Sequence, residues 1–167
     1  MADDPLVVLA ARVGERCLAL GARIATVESC TGGLIGHALT EVPGSSAYYL
    51  GGYVTYADEA KQAMVGVSPE VLAAHGAVSA QTALAMAVGG RERTGADVGV
   101  SVTGIAGPDG GSAAKPVGLT YVAVADGAGG EVRRFLWTGT RGENKRSSAA
   151  AALELVLERL AAPADGS

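Results

Sequence analysis

The sequence predicts an α/β fold, with a mixed sheet of about five strands covered by helices on both sides. Three observations lead to this class. Strand-length apolar runs interleave with segments of helical period along the chain. Several of the runs are apolar on both faces, as strands sandwiched between helix layers must be. The last two runs, Leu119–Ala125 and Glu131–Trp137, are separated only by Asp126-Gly127-Ala128-Gly129-Gly130. So short and glycine-rich a gap makes an antiparallel hairpin.

The elements follow in order. Asp4-Pro5 opens a helix, with Asp as N-cap and Pro in the first turn. Leu6, Leu9, Val13, Cys17 and Leu20 recur on one face, and Gly21 ends it. Cys17 lies on that apolar face and reads as a buried structural thiol. Ile24–Val27 is a strand, followed by the turn Glu28-Ser29-Cys30-Thr31-Gly32-Gly33 and a helix to about Glu41. Pro43-Gly44-Ser45-Ser46 is a loop. Tyr48–Thr55 reads as a strand in which Gly51-Gly52 marks a bulge or a close backbone approach.

Tyr56 to Met64 reads as a helix with Asp58 and Glu59 in its first turn. Ser68-Pro69 starts a short helix, and Ser79 caps a longer one ending near Arg93. Val98–Thr103 is an apolar strand running into the glycine-rich loop Gly104–Gly111. Thr140-x-x-Glu143 is a capping box for the last helix, whose core stripe is Ala149, Leu153, Val156, Leu157 and Leu160. From Pro163 onward the chain reads as a frayed tail. No linker or repeat divides the 167 residues, so a single domain is expected, with its core over about residues 6–160.

Composition narrows the function classes. A net charge of −4 and 4% aromatic residues disfavour a nucleic-acid binder, which is usually basic and often stacks bases on aromatic rings. Two cysteines, Cys17 and Cys30, make no disulfide framework, and a cytoplasmic location is expected. No apolar run reaches about 18 residues, so no membrane span is expected. His37 and His75 lack companions at metal-ligand spacing and read as ordinary histidines; no metal is expected.

Four constellations carry chemical potential. The first is the turn after the first strand. Ser29 is either a helix cap or a nucleophile, with the N–H groups of Cys30 to Gly33 placed to hold an oxyanion. A nucleophilic serine needs a base, and without a compelling His-Asp pair the base can be a lysine. The second is Tyr56 and Lys61. On one helix they would point about 140° apart, so they converge only if Tyr56 ends the strand and Lys61 lies one turn into the helix. A buried lysine loses solvation, and its pKa falls toward the range of a general base. The third is Thr103-Gly104 and the loop that continues to Lys115-Pro116-Val117-Gly118, at a strand end where ligands of open α/β sheets bind. The fourth is Arg141 and Arg146 at the start of the last helix, a candidate phosphate or carboxylate site.

Taken together, Glu28-Ser29-Cys30-Thr31-Gly32-Gly33, Gly52-x-x-x-x-Tyr56-x-x-x-x-Lys61, Val102-Thr103-Gly104-Ile105-Ala106-Gly107-Pro108-x-Gly-Gly and Lys115-Pro116-Val117-Gly118 resemble the signature of the CinA C-terminal domain family, the nicotinamide mononucleotide (NMN) deamidases. The motifs stand in order over about residues 6 to 160. The resemblance implies a three-layer α/β/α sandwich, in stand-alone form, that hydrolyses the carboxamide of NMN to nicotinate mononucleotide and ammonia. It implies no cofactor and no metal. It maps the nucleophile to Ser29, the lysine to Lys61 and the tyrosine to Tyr56. On this mapping Lys61 takes the Ser29 proton directly or through Tyr56. The N–H groups around Cys30, Thr31, Gly32 and Gly33 hold the oxyanion, Thr103 and Gly104 line the nicotinamide end, and Arg141 and Arg146 bind the 5′-phosphate. Cys30 remains an alternative nucleophile. A homodimer without nucleic-acid or membrane partners is expected. Two other readings are a non-catalytic nucleotide- or partner-binding module and an amidohydrolase of a related amide.

Overall fold

A computed structural model describes residues 3–161. The expected tail from Pro163 lies outside the described residues. The elements are α1 (Pro5–Leu20), β1 (Ile24–Glu28), α2 (Leu34–Thr40), β2 (Tyr49–Val54), α3 (Asp58–Val65), α4 (Pro69–His75), α5 (Ala80–Thr94), β3 (Val98–Gly104), β4 (Leu119–Asp126), β5 (Gly129–Leu136) and α6 (Arg141–Ala161), with a short 3-10 turn at Ser45–Ala47.

The five strands form one mixed sheet in the order β2-β1-β3-β4-β5. β1 pairs in parallel with both β2 and β3, while β3, β4 and β5 pair antiparallel, the last two as the expected hairpin. The register between β1 and β2 slips by one residue, with Ile24 facing Tyr49 and Ala25 facing Gly51. This is the bulge that Gly51-Gly52 announced. Gly51 adopts φ +142, and a side chain on Gly52 would run into Thr26.

Helices cover both faces. α1, α2 and α6 pack together on one side, and α3 and α4 pack on α5 on the other. The larger core joins Val13, Ile24, Leu39, Val100, Val122, Leu153 and Val156 under the α1/α2/α6 layer. Cys17 is buried in it, as its helical phase requires. The capping signals operate as written. The Asp4 carboxylate accepts from Leu6 N, Ser68 from Val71 N and Ser79 from Thr82 N, while Thr140 and Glu143 bond reciprocally.

Two of the boundaries that differ from expectation bear on the site. β1 runs one residue further, to Glu28, because that residue still pairs with Val54 and Val102 on either side. α3 begins at Asp58 rather than Tyr56, so Tyr56 belongs to the connection out of β2. Among the described residues no helix is long and apolar enough to cross a membrane.

This topology creates a crevice. The chain leaves β1 toward the α1/α6 layer and leaves the neighbouring β2 toward the α5 layer. Connections diverging from adjacent parallel strands open a cleft at their carboxyl ends.

Candidate active site

A cleft of about 230 Å³ lies at those strand ends. Its lining comes from the ends of β1 (Ser29, Cys30), β2 (Tyr56) and β3 (Thr103, Gly104), together with Lys61, the Ala77-Val78 segment, residues 105–107, Asp109 and Arg141.

Glu28 builds the turn that presents Ser29. Its buried carboxylate accepts from Thr31 Oγ1 (2.6 Å), Gly33 N (3.1 Å) and Ile35 N (3.0 Å) through one oxygen, and from Gly36 N (2.9 Å) through the other. The anion at the N-terminus of α2 is therefore supplied by the chain itself. This corrects the expectation of an open anion site there. Gly33 N–H is taken by Glu28, and Gly32 N–H bonds the Ser29 carbonyl at 3.1 Å. Thr31 spends its hydroxyl on Glu28 and does not face the cleft. The N–H groups of Cys30 and Thr31, directly after Ser29, donate to no backbone carbonyl among the described residues.

Ser29 does not cap the helix. Its Oγ lies 3.0 Å from Lys61 Nζ. Lys61 is the fourth residue of α3, one turn in, and is 1% exposed. Its Nζ also donates to the Thr55 carbonyl at 2.7 Å and sits 3.5 Å from the Tyr56 carbonyl. Burial pushes the lysine below its ordinary value, against smaller upward contributions from Asp58 and Cys30. A neutral amine has two N–H groups and one lone pair. With the two carbonyls taking the N–H groups, the lone pair is directed at Ser29 Oγ.

Tyr56 offers its main chain to this pair and its phenol elsewhere. The ring is 63% exposed, and its hydroxyl accepts from Arg141 at 3.2 Å. The Ser29–Lys61 contact is direct and does not run through the tyrosine hydroxyl. Arg141 also donates to the Gly107 carbonyl at 2.7 Å, which fixes its guanidinium over the mouth of the cleft. Thr103 donates to the Ala77 carbonyl at 2.8 Å and so holds the wall opposite Ser29.

Arg146, expected beside Arg141, does not line the cleft. It forms an ion pair with Asp4, on the other side of α6 from the cleft. Five positions along a helix turn a side chain by about 140°, and the arithmetic that separates positions 56 and 61 on one helix also separates 141 from 146. Cys30 lines the cleft, but burial pushes its thiol up to about 11. Such a thiol is protonated near neutral pH and is a poor nucleophile.

Sequence reasoning gave no role to Glu28 or Asn144. Asn144 is buried, donates to the Ala106 carbonyl at 3.0 Å and accepts from Gly139 N at 2.9 Å, tying the cleft loop to the start of α6. A carboxylate just before the glycines of a strand–helix turn was the available signal for Glu28. Nothing in the local pattern marks Asn144.

With this geometry in hand, the family comparison is decisive. The model of the CinA C-terminal domain matches residues 7–160. The chain belongs to that family. It is 44% identical to the nicotinamide-nucleotide amidohydrolase PncC of Escherichia coli K12, over 95% of this chain and 97% of that protein. It is 51% identical to a CinA-like protein of Chloroherpeton thalassium, over 89% of this chain but 36% of the relative. The chain spans about a third of the length of several such relatives. Among solved structures, the competence/damage inducible protein CihA of Agrobacterium tumefaciens superposes with a TM-score of 0.89 at 46% identity, covering 93% of this chain and 94% of that one. The competence damage-inducible protein A of Klebsiella pneumoniae gives 0.92 at 34% identity, over 96% and 100%. These CinA-superfamily relatives share the five-stranded α/β sandwich described above.

Proposed function

We propose that this CinA-family chain hydrolyses the carboxamide of NMN to nicotinate mononucleotide and ammonia, through an acyl-enzyme on Ser29 with Lys61 as base. The observation that carries the reading is the buried Lys61 Nζ at 3.0 Å from Ser29 Oγ at the floor of the cleft. The amidohydrolase name of the near full-length Escherichia coli relative supports the substrate.

An amide is a weak electrophile, and dividing its hydrolysis into acylation and deacylation lowers the hardest barrier. Neutral Lys61 takes the Ser29 proton as Oγ attacks the carboxamide carbon. The carbonyl oxygen becomes an oxyanion facing the N–H groups of Cys30 and Thr31. The lysine then gives the proton to the departing nitrogen, which leaves as ammonia. Water, deprotonated by the same amine, cleaves the ester and releases nicotinate mononucleotide. Thr103 and Gly104 bound the pyridine end, and Arg141 stands at the phosphate end, held by Gly107 and Tyr56. A cytoplasmic homodimer is the proposed working form.

A binding module would use the glycines and arginine of this cleft but has no need of a dehydrated amine against a serine. Ammonia release from NMN, measured beside nicotinamide riboside and nicotinamide, tests the reading. Turnover of NMN above the other two is expected. Absence of ammonia from NMN refutes the activity, and equal turnover of all three removes the phosphate from recognition.

A further inference from the structure

With Arg146 paired to Asp4, Arg141 is the one cation at the mouth of the cleft among its described lining residues. The same helix supplies a second. Residues four apart on a helix share a face, so Lys145 follows Arg141 by one turn on the side turned toward the Ser29 turn. Its ammonium lies 3.8 Å from the point a Cβ on Gly32 would occupy. Gly32 is exposed, with φ +63, so no side chain stands between Lys145 and the turn. Lys145 is half-buried and has no ion-pair or hydrogen-bond partner among the described residues. Its charge reaches far enough into the site to act on the neighbouring Cys30 thiol. A half-buried cation beside a glycine turn and one helical turn from a cleft arginine suits an anionic group. Among the described residues, the one acid lining the cleft, Asp109, is exposed.

We propose that Lys145 and Arg141 together receive the phosphate of the substrate, and that Arg146 takes no part. The proposal rests on the NMN reading for its ligand, while the cationic pair stands on geometry alone. The two cations grip the phosphate from adjacent turns of α6. Arg141 fixes the direction through its fork, and Lys145 contributes a point charge on the side of Gly32.

The test compares wild type, Lys145→Gln and Arg146→Gln, with thermal unfolding to establish that each variant folds. Steady-state ammonia release is measured with NMN and with nicotinamide riboside. Lys145→Gln should raise KM for NMN by roughly tenfold or more, the worth of one charge-assisted contact, with kcat and the riboside KM nearly unchanged. Arg146→Gln should follow wild type. A wild-type KM for NMN in Lys145→Gln, or an equal rise for both substrates, overturns the proposal. A second arm needs no turnover: broadening of the 31P resonance of inorganic phosphate by each protein. Broadening by wild type and Arg146→Gln that is lost in Lys145→Gln supports the site. Equal broadening by all three, or none by wild type, overturns it. Absence of ammonia from wild type with this broadening pattern intact refutes the NMN reading and leaves the anion site standing.

Discussion

Replacing Glu28 with glutamine tests how the turn beneath Ser29 is held. The side chain keeps its size, so no cavity forms. The native carboxylate accepts four donors, three through one oxygen and Gly36 N–H through the other. An amide retains the first three bonds but turns a donor toward Gly36 N–H. A hydrogen bond to a charged acceptor contributes about 1.5–3 kcal/mol and one to a neutral acceptor about 0.5–1.5 kcal/mol, so one lost bond and three weakened by about 1 kcal/mol each come to about 4–6 kcal/mol. At about 2–4 °C per kcal/mol for a chain of this size, Tm should fall by about 8–24 °C. The turn that places Ser29 loosens together with the helix start, so deamidation should fall as well. Circular-dichroism melts and ammonia release measure the two effects. A Tm within about 2 °C of wild type, with kcat unchanged, would refute the account of the turn, since it would show that the carboxylate charge is not holding it.

Other consequences follow from the same geometry. Lys61→Arg should abolish turnover by about 10²–10⁴-fold, the usual worth of a general base, because arginine stays protonated; ammonia release measures it. Burial lowers the Lys61 pKa, so kcat/KM should rise with pH through that lowered value as the amine becomes neutral. Between the lowered value and the ordinary one near 10.5, the unfolded chain binds the extra proton, so folding stability should also rise with pH across that window, as urea titrations at stepped pH would show. Cys30→Ala should keep turnover within a few-fold, because a thiol pushed up to about 11 carries little thiolate; loss of activity would return Cys30 to the mechanism. Gly89→Ala adds a methyl against the Val65 main chain where α3 crosses α5, and should lower the urea midpoint by the equivalent of about 1–3 kcal/mol.

Much of this was legible in the sequence because it is local. Caps at Asp4, Ser68, Ser79 and Thr140 act within a few residues of themselves, and each bonds as its pattern announces. The glycine pair in β2 reports a bulge because a side chain has no room there. The convergence of Ser29 and Lys61 was legible only as a condition, that Tyr56 leaves the helix, and α3 starting at Asp58 meets it. What escaped depends on helical phase and distant partners. Arg146 has the residue type and the place near the start of α6 that a phosphate site calls for. Its direction is set by α1, whose Asp4 stands 142 positions earlier. Lys145 carries the same charge on the correct face. Glu28 sits among candidate site residues, yet its carboxylate is consumed by the four donors that follow it. Asn144 matters only because the loop at Ala106 folds back onto α6.

The central claim is that Ser29 carries the acyl group with Lys61 beside it. Acid-quenching the enzyme during turnover of NMN and mapping its peptides by mass spectrometry tests this most directly. A nicotinoyl-nucleotide ester on the peptide at Ser29, absent from Ser29→Ala together with ammonia release, is predicted. An adduct on Cys30, or a Ser29→Ala variant that still releases ammonia at the wild-type rate, would contradict it.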